Sequence, residues 1–143
     1  MSVLTFLFTD IEGSTRRWEA DADAMRVALD AHNRVLRETV AASDGKVFNY
    51  TGDGMCAVFP SPRSAVEAAV AAQRALELPV RMGIATGEAE LRGDDYFGTV
   101  LNRTARVMSA GHGGQLLLDG ATAALLSGVD LIALGPRRLD RRR

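Results

Sequence analysis

The order of strand-like and helix-like patterns predicts an α+β domain, with a mixed, largely antiparallel sheet and helices packed on it. Three observations carry that prediction. Short β-branched and aromatic runs alternate with longer amphipathic stretches. Two of those runs flank a tight turn of Thr51, Gly52, Asp53 and Gly54, which reads as an antiparallel hairpin. The chain has 143 residues, 47% of them hydrophobic, which suits one domain with a real core.

Taken in order, residues 3–8 are β-branched and aromatic and read as a buried strand. A polar turn over residues 9–15 follows, in which Ser14 or Thr15 caps a long helix. Trp18, Met25, Leu29, Leu36 and Val40 recur along it at helical spacing, which turns Arg16, Arg26 and Arg34 toward solvent. Asp44 and Gly45 end that helix region. Residues 46–50 and 55–59 form the hairpin, and Pro60 and Pro62 break the chain after it. An Ala-rich helix spans 64–78 and stops at Pro79. A strand at 80–85, a charged loop at 87–95 and an amphipathic helix at 98–110 come next. A strand at 115–118, a short helix at 121–126 and a strand at 129–134 complete the pattern. The first six elements spell βαββαβ, the ferredoxin-like split βαβ core, and αβαβ extends it. Strand one then lies beside the hairpin, so Asp10 at its end approaches Asp53 in the turn.

Bulk properties narrow the function. Net charge is −1, so nothing global directs the chain to nucleic acid. Only the tail, with Arg137, Arg138, Arg141, Arg142 and Arg143, is basic, and it reads as solvated. Cys56 is the only cysteine, so no intrachain disulfide forms. No apolar run has the length to span a bilayer, and the first residues lack the order of a signal peptide. These features predict a cytoplasmic protein without a membrane partner. His32 and His112 have no zinc spacing with each other or with Cys56.

Paired carboxylates point to metal chemistry. Two aspartates brought together repel, and a hard divalent cation relieves that cost. Oxygen ligands favour Mg²⁺ or Mn²⁺, which commonly use one or two carboxylates plus substrate phosphates. The turn with Gly13, Ser14 and Thr15 offers backbone N–H groups to an anion, yet it lacks the Gly-Lys-Ser/Thr of a P-loop. Each aspartate alone is equally well a turn residue. Asn102 and Arg106 stand four apart on one helix face, a spacing that equally fits an ordinary polar surface. Arg103 points about a hundred degrees away and fits solvent better. Arg81, inside an apolar strand, needs a partner or an outward face.

Four segments in order resemble the class III nucleotidyl cyclases, the adenylate/guanylate cyclase catalytic domain. Phe8-Thr9-Asp10-Ile11-Glu12-Gly13-Ser14-Thr15 is similar to that family's first metal motif, and Thr51-Gly52-Asp53-Gly54 to its second. Arg81-Met82-Gly83-Ile84 resembles its triphosphate-contacting strand. The stretch from Asp95 through Gly98 and Asn102 to Arg106 resembles its base-recognition and transition-state segment. The resemblance assigns residues 1–136 to a cyclase domain and leaves 137–143 as an Arg-rich tail.

It implies an adenylate cyclase forming cyclic AMP and pyrophosphate in a homodimer with shared sites. Asp10, Asp53 and the Ile11 carbonyl would hold two Mg²⁺ or Mn²⁺ ions. Gly13, Ser14, Thr15 and Arg81 would bind phosphate, Asp95 and Asn49 the base, Asn102 the ribose and Arg106 the α-phosphate. Asn49 stands where adenylate cyclases of the family typically carry lysine, and it hydrogen-bonds without charge. A carboxylate at Asp95 suits the amino group of adenine, so ATP is favoured. Asn49 and the chain's end soon after residue 134, where the family usually continues, keep two alternatives open: a cyclase-like regulatory or dimerisation module, and a guanylate cyclase.

Overall fold

A computed structural model describes residues 1–126. The predicted strand at 129–134, the arginine tail and the last part of the 1–136 domain lie outside the described residues. The elements run β1 (Ser2–Ile11), α1 (Ser14–Ala20), α2 (Ala22–Ala42), β2 (Lys46–Thr51), β3 (Gly54–Phe59), α3 (Pro62–Ala75), β4 (Val80–Arg92), β5 (Asp95–Phe97), α4 (Thr99–Ser109), β6 (Leu116–Leu118) and α5 (Gly120–Ala124).

The sheet order is β2-β3-β1-β4-β5, and β6 pairs with β4 in parallel. The other pairings are antiparallel. This is the predicted α+β architecture. β1 sits in the middle, with Thr9 opposite Met55 on one side and Asp10 opposite Arg81 on the other.

Strand alternation sorts the side chains into two cores. Leu7, Met55, Ala57, Phe59, Val80, Met82 and Ile84 face α2 and α3, where Leu36, Val40, Ala65, Ala69 and Ala72 meet them. Phe6, Val58, Ala85 and Ala89 face the other way and pack with Val100 of α4. Phe48, Phe6 and Tyr96 form an edge-to-face aromatic group on that second side, with centroids 4.9–6.0 Å apart. The β2–β3 register shifts between Val47 and Asn49, so Phe48 joins this group while Val47 packs on the first core.

Three predictions are corrected. The single long helix is two: Asp21 is extended, accepts a hydrogen bond from the Ala24 N–H, and caps α2. Trp18 therefore belongs to α1, a helix without a fully buried residue, and not to the apolar stripe of α2. The charged loop at 87–95 is mostly strand, since β4 runs to Arg92 and turns through Gly93 (φ 61°) into β5. Charged side chains at Glu88, Glu90 and Arg92 hid this because a solvent-facing side of an antiparallel sheet tolerates them. The Ala-rich helix begins earlier, with Ser61 as cap and Pro62 in its first turn, and ends at Ala75.

Candidate active site

β1 and the hairpin turn bring Asp10 and Asp53 to one cleft of about 370 Å³. Ile11, Gly13, Ser14, Thr15, Arg16, Glu19 and Arg81 complete its lining. Gly13 is left-handed (φ 72°), which curls the chain from β1 into α1. Gly52 (φ 61°) turns the hairpin in the same manner. Gly54 must stay small, because a Cβ there would lie 2.7 Å from the Thr9 carbonyl oxygen.

Asp10 is paired across the strands. Arg81 Nε donates to Asp10 Oδ1 at 2.8 Å, and Nη2 reaches Oδ2 at 3.4 Å. The charged residue inside an apolar strand thus has its partner directly opposite. Asp53 is different: its Oδ2 is buried and accepts no hydrogen bond among the described residues. Such an oxygen is costly unless something satisfies it. Thr9 Oγ1 and both ring nitrogens of His32 are likewise buried without a hydrogen-bond partner. Burial pushes the His32 pKa down, and the charge of Asp53 acts against that shift.

A buried, unsatisfied carboxylate oxygen beside a second carboxylate fits a hard divalent cation. Among the described residues no group of three or more His, Cys, Asp and Glu could hold a metal. Asp10 and Asp53 are the aspartates that line the cleft, and a cation such as Mg²⁺ commonly takes one or two carboxylates and keeps other positions for phosphate.

Asn49, Asp95, Asn102 and Arg106 do not line this cleft. Asn49 lies opposite Cys56 in the β2–β3 ladder. The charge of Asp95 also reaches Cys56, whose thiol is pushed up to about 11, chiefly by burial. Asn49 by strand register and Asp95 by its charge are thus both linked to Cys56. Both side chains accept from the next backbone N–H, Asn49 from Tyr50 at 2.9 Å and Asp95 from Tyr96 at 3.0 Å. Asn102 and Arg106 are exposed on α4, while Val100, Thr104 and Val107 are its buried side.

Two readings of single residues change. Arg103 is not simply solvated: it binds Asp119 at 2.9 Å and donates to the Thr86 carbonyl at 2.8 Å. Arg16 lines the cleft, although helical periodicity turned it to solvent. Its position next to Thr15 was the one available signal. Glu12 also has a role: its Oε1 accepts from the Gly113 N–H at 2.9 Å and ties the glycine-rich loop after α4 to the β1 turn.

No family model matches the chain. It is 35% identical to an uncharacterised protein of Mycobacterium tuberculosis over 87% of its own length and 45% of that protein. It is 32% identical to an adenylate cyclase of Lachancea kluyveri, covering 81% of this chain and 8% of that enzyme. The chain thus spans less than half the length of these relatives. Among solved structures, a Trypanosoma brucei adenylate cyclase in its monomeric state superposes with a TM-score of 0.84 at 27% identity. That match covers 90% of this chain and 76% of the other. The chain belongs to the class III adenylate/guanylate cyclase family. Guanylate cyclase domains share this fold, among them one solved with GTP. Family membership therefore leaves the choice of base to the cyclase domain's own residues. Among the described residues no helix is long and apolar enough to cross a membrane.

Proposed function

We propose that this cyclase domain converts ATP to 3′,5′-cyclic AMP and pyrophosphate at sites shared between two copies of the chain. One observation carries the reading. Asp10, Asp53, Arg81 and the turn at Gly13, Ser14 and Thr15 share a cleft, whereas Asn102 and Arg106 stand exposed on α4 outside it. A second copy, placed two-fold, supplies the missing half to each cleft.

Asp10, Asp53 and the Ile11 carbonyl would hold Mg²⁺ or Mn²⁺, two ions per site. Bound there, such ions would supply positive charge to the phosphoryl transfer. The backbone amides at Gly13, Ser14 and Thr15 take the outer phosphates, and Arg16 adds a cation at the same wall. Arg81 exchanges Asp10 for phosphate as nucleotide enters. Asn102 of the second copy orients the ribose so that its 3′-oxygen lies in line with the α-phosphorus. A bond forms from that oxygen to phosphorus, the bond to the pyrophosphate oxygen breaks, and the hydroxyl proton passes to solvent. Arg106 neutralises the charge that grows on the α-phosphoryl oxygens. Such chemistry needs position and charge from the protein and no covalent intermediate.

Asp95 accepts from the 6-amino group of adenine and repels the 6-oxo group of guanine. Asn49 adds an uncharged hydrogen bond beside it. ATP is therefore favoured over GTP.

The test is direct. The purified chain is incubated with ATP or GTP and Mn²⁺ or Mg²⁺, and cyclic nucleotide and pyrophosphate are measured. Wild type forms cyclic AMP. Asp10→Ala and Arg106→Ala each lose at least about 100-fold, and mixing the two restores activity in the dimers that carry one intact site. Nucleotide binding without any cyclic product would instead identify a regulatory module.

A further inference from the structure

The helix carrying Asn102 and Arg106 is fastened to the sheet by a polar network that the chemistry above does not use. Arg103 lies between those two residues in sequence, and its side chain is 35% exposed. Its Nε donates to Asp119 Oδ2 at 2.9 Å. Its Nη2 donates to the Thr86 carbonyl at 2.8 Å.

That carbonyl occupies a particular place. β4 pairs with β6 through residues 82–84 and with β5 through residues 90–92. Thr86 falls in the gap between these ladders, on the edge away from β1, where among the described residues no strand is paired with it. Arg103 fills that gap.

Asp119 is 8% exposed and fully engaged. Its Oδ1 accepts from the Thr122 N–H at 2.9 Å and the Thr122 hydroxyl at 2.6 Å, capping α5. The Thr122 hydroxyl meets Thr86 Oγ1 at 2.8 Å, and Thr86 Oγ1 meets Thr5 Oγ1 at 3.0 Å. A continuous chain of polar contacts therefore runs from α4 through α5 and β4 into the central strand.

The seat under α4 is narrow. A Cβ at Gly87 would lie 2.8 Å from Arg103 Nη2 and 3.1 Å from Val100. One at Gly83 would overlap the Met108 backbone. Small residues let the helix approach closely, so the direction of Asn102 and Arg106 depends on its rotation about its own axis. A planar guanidinium with two anchored nitrogens fixes that rotation.

We infer that the Arg103–Asp119 pair is a positioning device, setting the roll of α4 so that Asn102 and Arg106 meet the nucleotide in the opposite protomer's cleft. This rests on the shared-site cyclase reading. Arg103 touches no substrate, and its effect passes through its two neighbours on the helix.

The test uses Arg103→Met, Arg103→Lys and Asp119→Asn in the whole chain. Melting temperature and nucleotide binding with Mn²⁺ are measured beside kcat and KM. Displacing a reacting group by about 1 Å costs about 100-fold in rate, so R103M is expected to lower kcat at least about 10-fold. Its KM and nucleotide affinity stay near wild type, because the cleft is intact. R103K keeps one of the two anchors and recovers part of kcat. D119N retains an acceptor for the α5 cap and lowers kcat like R103M.

Mixed dimers then locate the lesion. R103M with D10A regains activity, because the D10A chain brings an intact α4. R103M with R106A does not, because both copies of α4 are impaired. An unchanged kcat in both R103M and D119N, or a loss that D10A chains fail to relieve while D10A and R106A complement each other, overturns the inference alone. Failure of D10A and R106A to complement, with an active wild type, overturns the shared site and this inference with it. If R103M does not fold, R103K and D119N decide by the same pairings.

Discussion

Cys56 shows how a single side chain reports its surroundings. It is 6% exposed, lies opposite Asn49 and feels the charge of Asp95. Burial and then that charge push its pKa from 9.0 to about 11. The thiolate is the reactive form, so at pH 8 the folded chain holds about 100-fold less of it than an ordinary thiol. Alkylation by iodoacetamide at pH 8 is expected to be slower by at least that factor in the native chain than in urea. Native rates rise as pH climbs toward 11, where the folded-state thiol ionises. The sign for stability follows from the same shift. The folded chain keeps its proton longer, so the contribution is full below about 9 and fades as pH rises through about 11. A native rate equal to the unfolded one would place Cys56 outside the packed ladder.

At the scale of elements, β4 is the strand on which the site depends. Its even-numbered residues Val80, Met82 and Ile84 face α2 and α3, and its odd-numbered Gly83, Ala85, Gly87 and Ala89 make room for α4. Gly83→Ala forces a methyl into the Met108 backbone, an overpacking cost of about 1–3 kcal/mol. A thermal melt of that variant is expected to shift down by several degrees, on the order of 2–8 °C. No shift would mean that α4 does not rest on Gly83.

Much of this strand was legible from sequence, because period-two alternation around Arg81 marks a strand directly. Its extension to Arg92 was not, since polar residues on a solvent-facing hairpin look like loop. The break at Asp21 was hidden for a related reason. Met25, Leu36 and Val40 keep helical spacing, and a one-residue cap barely disturbs the pattern upstream. Asp10, Asp53 and the adjoining glycine turn were readable, since sharp turns write themselves in residue type. Arg103 was misjudged because its partner, Asp119, comes from an element that no local pattern links to α4.

For the whole molecule, a site divided between two copies, as proposed above, would make activity depend on assembly. Specific activity is expected to fall on dilution, with a midpoint that matches the dimer dissociation constant measured by sedimentation. Leu91 and Phe97, 55% and 44% exposed on the β4–β5 hairpin, leave apolar surface available to a second chain. Specific activity that holds constant across the dissociation range would show that one copy suffices. The central place of β1 has a consequence of another kind, in time. Its two neighbours are β3 and β4, and Ser2 pairs with Ala89. Within this domain the strand made first is thus among the last to be enclosed on both sides. Its β4 side waits unpaired until the chain through residue 89 is made. Pairings so distant in sequence slow the search for the native state, and they leave the nascent chain open to wrong partners until β4 arrives.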